Sequence, residues 1–199
     1  MIRNKNKATL SGYIKSDYEV LTDKVGGRSY LATIVTQRTS GTYDETVVVI
    51  PERLLLLPFN DTNSYVTVVG EYRSRNVDRH LQLFLAVKEL TYEFHDINCF
   101  EFGGYVCRTP IYRETVFGRK ILEVLIAINR GHGKTSYIPC ILWGDSACWG
   151  KNALNIGDYV ECVGRMQSRE YTKLGETKTA YEVSISKIEK GVDPNADEN

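Results

Sequence analysis

The sequence predicts an all-β protein made of two tandem five-stranded Greek-key barrels, each with a short helix between its third and fourth strands. Three observations predict it. First, one phrase is written twice, Tyr65-Val66-x-x-Val69-Gly70-x-x-x-Ser74-Arg75 and Tyr159-Val160-x-x-Val163-Gly164-x-x-x-Ser168-Arg169. Gly12-Tyr13-Ile14 is echoed in the same way by Gly104-Tyr105-Val106, so the repeating unit is a domain and not a short solenoid module. Second, both halves consist of short β-rich runs separated by Gly, Asn, Asp and Ser, with little helical periodicity. Third, each half has one segment that suits a helix, and it falls at the same place in the order of runs.

Taken in order, the first half gives strands near Ala8 to Lys15, Ser29 to Arg38, Glu45 to Ile50, Tyr65 to Arg75 and Leu81 to Tyr92, with helix over Glu52 to Leu57. The second gives strands near Cys99 to Arg108, Lys120 to Arg130, Tyr137 to Trp143, Tyr159 to Glu170 and Thr179 to Glu189, with helix over Asp145 to Leu154. Five strands with a helix after the third is the order of an OB-fold, whose face around strands 2 and 3 binds oligonucleotides or oligosaccharides. The domains are then residues 1–95 and 98–191, joined by Glu93 to Asn98 and followed by an acidic tail, residues 192–199, expected to be disordered.

A chain of 199 residues holds two such cores comfortably. No apolar run approaches the roughly 18 residues of a membrane span, and the basic start Met1 to Lys7 leads into no apolar signal region. The expected address is cytoplasmic. Five cysteines without a C-x-x-C pair argue against both a disulfide framework and a zinc ribbon.

The net charge is zero, but it is unevenly spread. Residues 1–97 carry 12 Lys+Arg and 12 Asp+Glu; residues 98–191 carry 13 and 10, or +3; the tail carries three acids and no base, or −3. The second half is the basic one, which is where a nucleic-acid surface is expected.

On the run Tyr137 to Trp143, alternation puts Ile138, Cys140 and Leu142 inward and Tyr137, Pro139, Ile141 and Trp143 outward. On the next strand it puts Val160, Cys162 and Met166 inward and Arg165, Gln167, Arg169 and Tyr171 outward. Rings interleaved with cations suit a single nucleic-acid strand, because bases stack on rings while Arg and Lys neutralise phosphates. Lys173, Arg130 and Lys134 lie close in sequence to the same face. The competing reading packs Trp143 under the helix and treats Tyr137 and Tyr171 as ordinary strand aromatics.

The stretch Tyr137 to Trp143 followed by Gly144-Asp145-Ser146-Ala147, then Leu154-x-x-Gly157-Asp158-x-Val160-x-x-x-Gly164-Arg165-x-x-Ser168-Arg169-x-Tyr171, resembles the bacterial single-stranded DNA-binding protein family. The resemblance covers nearly the whole second half. It implies stacking roles for Tyr137, Trp143 and Tyr171, a phosphate contact for Arg169, no cofactor and no catalysis. It also implies a working unit of four barrels, hence a homodimer of this chain. The family's acidic tail ends in an apolar tip that recruits partners, which Asp193 to Asn199 lacks.

In the first half the pairing of the repeats sets Thr46 and Val77 at the positions of Tyr137 and Tyr171, and Pro51 or Glu52 at that of Trp143. The stacking set is absent there. Arg73, Arg75 and Arg79 remain as secondary phosphate contacts, with Tyr30, Tyr43 and Tyr72 as alternative rings. The expected function is binding of single-stranded DNA without sequence preference in replication, recombination or repair. The alternative is a protein-interaction module of replication or mobile-element machinery that holds nucleic acid weakly.

Other motifs carry less. Gly131-His132-Gly133-Lys134-Thr135 ends like a phosphate-binding loop, but the Gly required five positions before Gly133 is Ile128, so it reads as a β-hairpin. His80, His95 and His132 have no partners at metal-ligand spacing, no nucleophile elbow occurs, and no carboxylate constellation supports a nuclease.

Overall fold

The computed structural model describes residues 5–15, 18–22, 26–55, 64–77, 80–93, 95–131, 133–173 and 175–193. The chain is mostly β and divides into two compact units. The N-terminal unit comprises the described parts of Lys7–Cys99 together with Met166–Tyr181; the C-terminal unit comprises those of Met1–Asn6, Phe100–Arg165 and Glu182–Asn199. No helix among the described residues is long and apolar enough to cross a membrane.

The N-terminal unit contains β1 (Asn6–Ile14), β2 (Glu19–Thr22), β3 (Arg28–Gln37), β4 (Tyr43–Pro51), the 3₁₀ turn Glu52–Leu54, β5 (Tyr65–Val77) and β6 (His80–Thr91). Strand order is β2-β3-β4-β6-β5-β1, and β1 pairs back onto β3 through Tyr13↔Val35, so five strands close into a ring. β4 and β6 are parallel neighbours, with Val48 beside Leu85. Alternation sends Leu10, Ile34, Val48, Ile50, Val66, Val68 and Leu85 into the ring, where they are fully buried.

The second half of the chain repeats the order with β7 (Asn98–Val106), β8 (Ile111–Glu114), β9 (Lys120–Asn129), β10 (Thr135–Trp143), helix α1 (Gly144–Ala153), β11 (Tyr159–Lys173) and β12 (Glu176–Lys190), of which the stretches 166–173 and 176–181 belong to the N-terminal unit. The order is β7-β11-β12-β10-β9-β8, with β7 pairing back onto β9. Its core is built from Phe102, Leu122, Val124, Ile126, Ile138, Leu142 and Val160, and α1 covers one end with Ala147 and Gly150. A Cβ on Gly150 would stand 2.6 Å from Leu122, so the helix lies close against β9.

The repeated glycines have a common cause. An added Cβ would meet a neighbouring strand's carbonyl oxygen at 2.3 Å on Gly12 and 2.6 Å on Gly104, and at 2.1 Å on Gly70 and 2.5 Å on Gly164. These are points where the backbone of the next strand crowds in as the sheet curls. Beside Gly70 the β5–β6 register also shifts.

Three elements differ from the sequence expectation. β2 and β8 are additional four-residue strands, each antiparallel to the strand that follows it. They are mostly exposed, so they carry little of the hydrophobic alternation by which a strand is recognised. The first helix is a single 3₁₀ turn; of the rest of the expected span, Leu55 is extended, and Leu56 and Leu57 lie outside the described residues. The acidic tail beyond Asp193 lies outside them as well.

Candidate nucleic-acid interface

In the C-terminal unit the row of β10 expected to face outward is Tyr137, Pro139, Ile141 and Trp143, but Ile141, flanked by Glu123 of β9 and Ser184 of β12, is only 4% exposed, so the exposed positions are Tyr137, Pro139 and Trp143. The antiparallel register sets Ala127, Leu125, Glu123 and Ile121 of β9 opposite the four. A solvent-facing sheet surface is ordinarily polar, yet here the positions that reach solvent, Tyr137, Pro139 and Trp143 on β10 and Ala127, Leu125 and Ile121 on β9, are apolar or aromatic, and Glu123 alone is charged. That carboxylate is ion-paired with Arg113 of β8. Trp143 is 39% exposed, and its indole Nε1 donates to Ser184 Oγ of β12 at 3.1 Å. The ring therefore stands on the sheet face and is not packed under α1. Tyr137 is comparably exposed six residues away on the same row.

Three of the predicted cations lie in this unit. Arg165 is half-buried on β11. Arg130 and Lys134 close the β9–β10 hairpin, where the Arg130 N–H donates to the Lys134 carbonyl at 2.9 Å and the Lys134 N–H to that of Gly131 at 3.1 Å. Lys134 is exposed and Arg130 half-buried. The segment that mimics a phosphate-binding loop is thus a turn between two strands.

The other predicted residues of β11 belong to the N-terminal unit, and there the alternation fails. Gln167 is only 6% exposed, directly after fully buried Met166, so it does not join an outward row. The next residue, Ser168, is held in the N-terminal unit. Its N–H donates to Asp44 Oδ1 at 2.9 Å, its Oγ accepts the N–H of Glu45 at 2.8 Å, and its carbonyl accepts from Arg38 at 3.4 Å. Asp44 is buried, pairs with Arg38 through both carboxylate oxygens, and so ties this stretch of β11 to the β3–β4 turn. Beyond the tie, Arg169 and Tyr171 are exposed, the guanidinium lying 5.9 Å from the centre of the tyrosine ring. The side chain of Lys173 lies outside the described residues.

The secondary candidates separate. Arg73 is half-buried and ion-paired at 2.7 Å with buried Glu71, which Lys88 also meets at 2.5 Å. Burial lowers the pKa of the Arg73 guanidinium. Arg73 is therefore part of an internal charge cluster. Arg75 is exposed, over the Phe84 ring and bonded to Gln82, and Arg79 lies outside the described residues. Tyr30 and Tyr72 are buried, which removes them as alternative rings; Tyr43 is exposed.

Thr46 is not the counterpart of Tyr137. The β3–β4 and β9–β10 registers superimpose at an offset of 92 residues, shown by Ser29↔Pro51 against Ile121↔Trp143. Glu45 thus answers to Tyr137 and Pro51 to Trp143. Thr46 points into the core, and Glu45 is ion-paired with Lys15 at 2.7 Å. One feature of this face had no signal in the motif: exposed Tyr18, with Leu31, Thr33 and Val47, lines an open groove. The nearby Tyr30 ring meets Tyr18 edge-on at 5.5 Å.

Among the described residues no cluster of His, Cys, Asp or Glu could hold a metal ion. Burial pushes the thiols of Cys140 and Cys162 well above their usual range, which keeps them protonated and inert.

Residues 97–190 match the model of the Single-strand binding protein family. No curated protein matches the sequence. Among solved structures, the wild-type single-stranded DNA binding protein from Thermus aquaticus is similar with a TM-score of 0.76 at 15% identity, over 98% of this chain and 97% of that one. A deletion mutant of the same Thermus aquaticus protein gives a TM-score of 0.76 at 15% identity over 100% of each chain. At that identity the likeness speaks for the fold.

Proposed function

We propose, from the premise that residues 97–190 belong to the single-strand binding protein family, that this protein binds single-stranded DNA without sequence preference. It would protect or organise the strand in replication, recombination or repair. The observation that carries this reading is the outward face of β9 and β10, where Tyr137, Pro139, Trp143, Leu125 and Ile121 stand half-exposed on a surface that solvent alone would favour as polar. Bases offer flat apolar surface to every sequence alike, and each stack is worth about 1–3 kcal/mol. Exposed Lys134 and half-buried Arg165 of the same unit supply phosphate contact; Arg169 and Tyr171, a cation and a ring in the other unit, are assigned the same two kinds of contact there. The role is binding and not catalysis.

The matching strand orders of the two units support tandem OB-folds, residues 1–95 and 98–191. The first replaces the ring positions with Glu45 and Pro51, and we assign it chiefly to scaffold. Four barrels as the working unit would make the protein a homodimer. Light scattering on the eluting protein then gives twice the chain mass of 22.6 kDa, and a lone monomer at micromolar concentration removes the dimer.

Fluorescence anisotropy of labelled oligo-dT, with the duplex as competitor, tests the function. Binding that prefers the single strand and weakens linearly in log affinity against log salt is expected. Absence of binding at low salt would leave the protein-interaction reading in its place.

A further inference from the structure

The hairpin between β8 and β9 ends in Thr115-Val116-Phe117-Gly118, and its two tip residues are almost wholly in water: Val116 is 95% and Phe117 88% exposed. The tip is a built turn. The Thr115 N–H donates to the Arg119 carbonyl at 2.9 Å, the Gly118 N–H to that of Thr115 at 2.9 Å, and the Arg119 N–H to Thr115 Oγ1 at 3.0 Å. Gly118 takes the φ of 72° that this turn demands, a conformation only glycine adopts freely.

A phenylalanine held out by a rigid turn forgoes the free energy that burial would bring, and a solvated turn would more readily carry polar residues. Its surroundings point to the ligand. Phe117 stands four residues before Ile121, the cross-strand neighbour of Trp143, which is no more than about 14 Å of extended chain. A nucleic-acid strand lying on Trp143 covers that distance within a few nucleotides. Arg119 follows the ring on the same turn, exposed and with no ion-pair partner among the described residues, and Lys120 opens β9 beside it.

We propose that Phe117 is a further stacking platform, which takes a base of the same strand that stacks on Trp143 while Arg119 neutralises an adjoining phosphate. This rests on the reading of the β9–β10 face given above. The ring lies outside the motif on which the family resemblance was drawn, so its contribution belongs to this chain's own hairpin.

The test moves the reporter. In full-length protein carrying Trp143→Phe, Trp149→Phe and Phe117→Trp, the indole at position 117 is the only one, and oligo-dT quenches its emission in a saturable way. Separately, Phe117→Ala weakens oligo-dT binding about 5- to 150-fold, the effect of one lost base stack, and leaves the urea midpoint unchanged because the side chain touches no core. An unquenched indole at position 117, when Trp143 in the Trp149→Phe protein is quenched, overturns this inference alone. Silence at both positions overturns the reading of the face as well. A smaller assembly of Phe117→Ala in light scattering, with affinity per chain unchanged, assigns the tip to a subunit contact and also overturns it.

Discussion

The indole of Trp143 is tethered by its edge to Ser184, Nε1 to Oγ at 3.1 Å, and Ser184 sits on β12 in register with Ile141 of parallel β10. Edge tethering leaves a ring face open while removing much of its freedom to rotate, which lowers the ordering cost of stacking a base. Trp143→Ala is expected to weaken oligo-dT binding by one stacking increment, about 1–3 kcal/mol. Ser184→Ala removes only the tether, so its effect stays within the worth of one hydrogen bond, about 0.5–1.5 kcal/mol. Titrations ranking the serine above the tryptophan would contradict this assignment.

The end of β11 that carries Arg169 and Tyr171 hangs on Asp44. The carboxylate is buried and serves both Arg38 and the Ser168 N–H. Asp44→Ala strands a partly buried guanidinium and an amide at once, and breaking such a pair costs about 3–5 kcal/mol. Urea unfolding should show that loss, and hydrogen exchange at the Ser168 amide should quicken beyond the change in global stability. Unaltered protection at Ser168 would mean that the stretch is held by something else.

Much of this was legible in the sequence, and each failure has a physical cause. The ten main strands follow from period-two runs and from the repeat. β2 and β8 were not legible because strands of four residues with exposed side chains carry almost no alternation. Gln167 was misplaced because its neighbour Ser168 is bonded to Asp44 and Glu45, more than 120 residues away in sequence, a tie that alternation along β11 does not reveal. Thr46 was misplaced by one residue, and a one-residue slip turns a strand's whole assignment over. The offset between the halves is 92 at Gly12 and Gly104 but 94 at Tyr65 and Tyr159. The two extra residues lie after β10, as the constant register up to that point shows.

The same slip yields a prediction. Thr46 Oγ1 is buried without a hydrogen-bond partner among the described residues, and an unmet buried hydroxyl costs about 1–3 kcal/mol. Thr46→Val, close in shape, should leave the protein as stable or raise its urea midpoint, with oligo-dT affinity unchanged. A loss of affinity would return Thr46 to the binding surface.

Acid sensitivity has one identifiable source at Asp158. Its carboxylate accepts from Lys190 at 2.8 Å and from the Asn155 N–H at 2.7 Å, and these bonds lower its pKa in the fold. A lowered folded value means the stabilisation is present above the unfolded carboxylate pKa, about 3.9, and is lost as pH falls through the folded value. Asp158→Asn should therefore be less stable than the parent at pH 7 and approach it near pH 3. A constant gap between the two urea midpoints across that range would assign the effect elsewhere.

Whether bases stack on Trp143 decides the role of the β9–β10 face. The native protein cannot answer cleanly, because Trp149 on α1 is as exposed as Trp143, 40% against 39%. The measurement is therefore emission of the Trp149→Phe protein during titration with oligo-dT at two salt concentrations. Saturable quenching whose midpoint moves to higher oligo-dT at the higher salt is the predicted result. Emission that stays constant to saturating oligo-dT at low salt would contradict it.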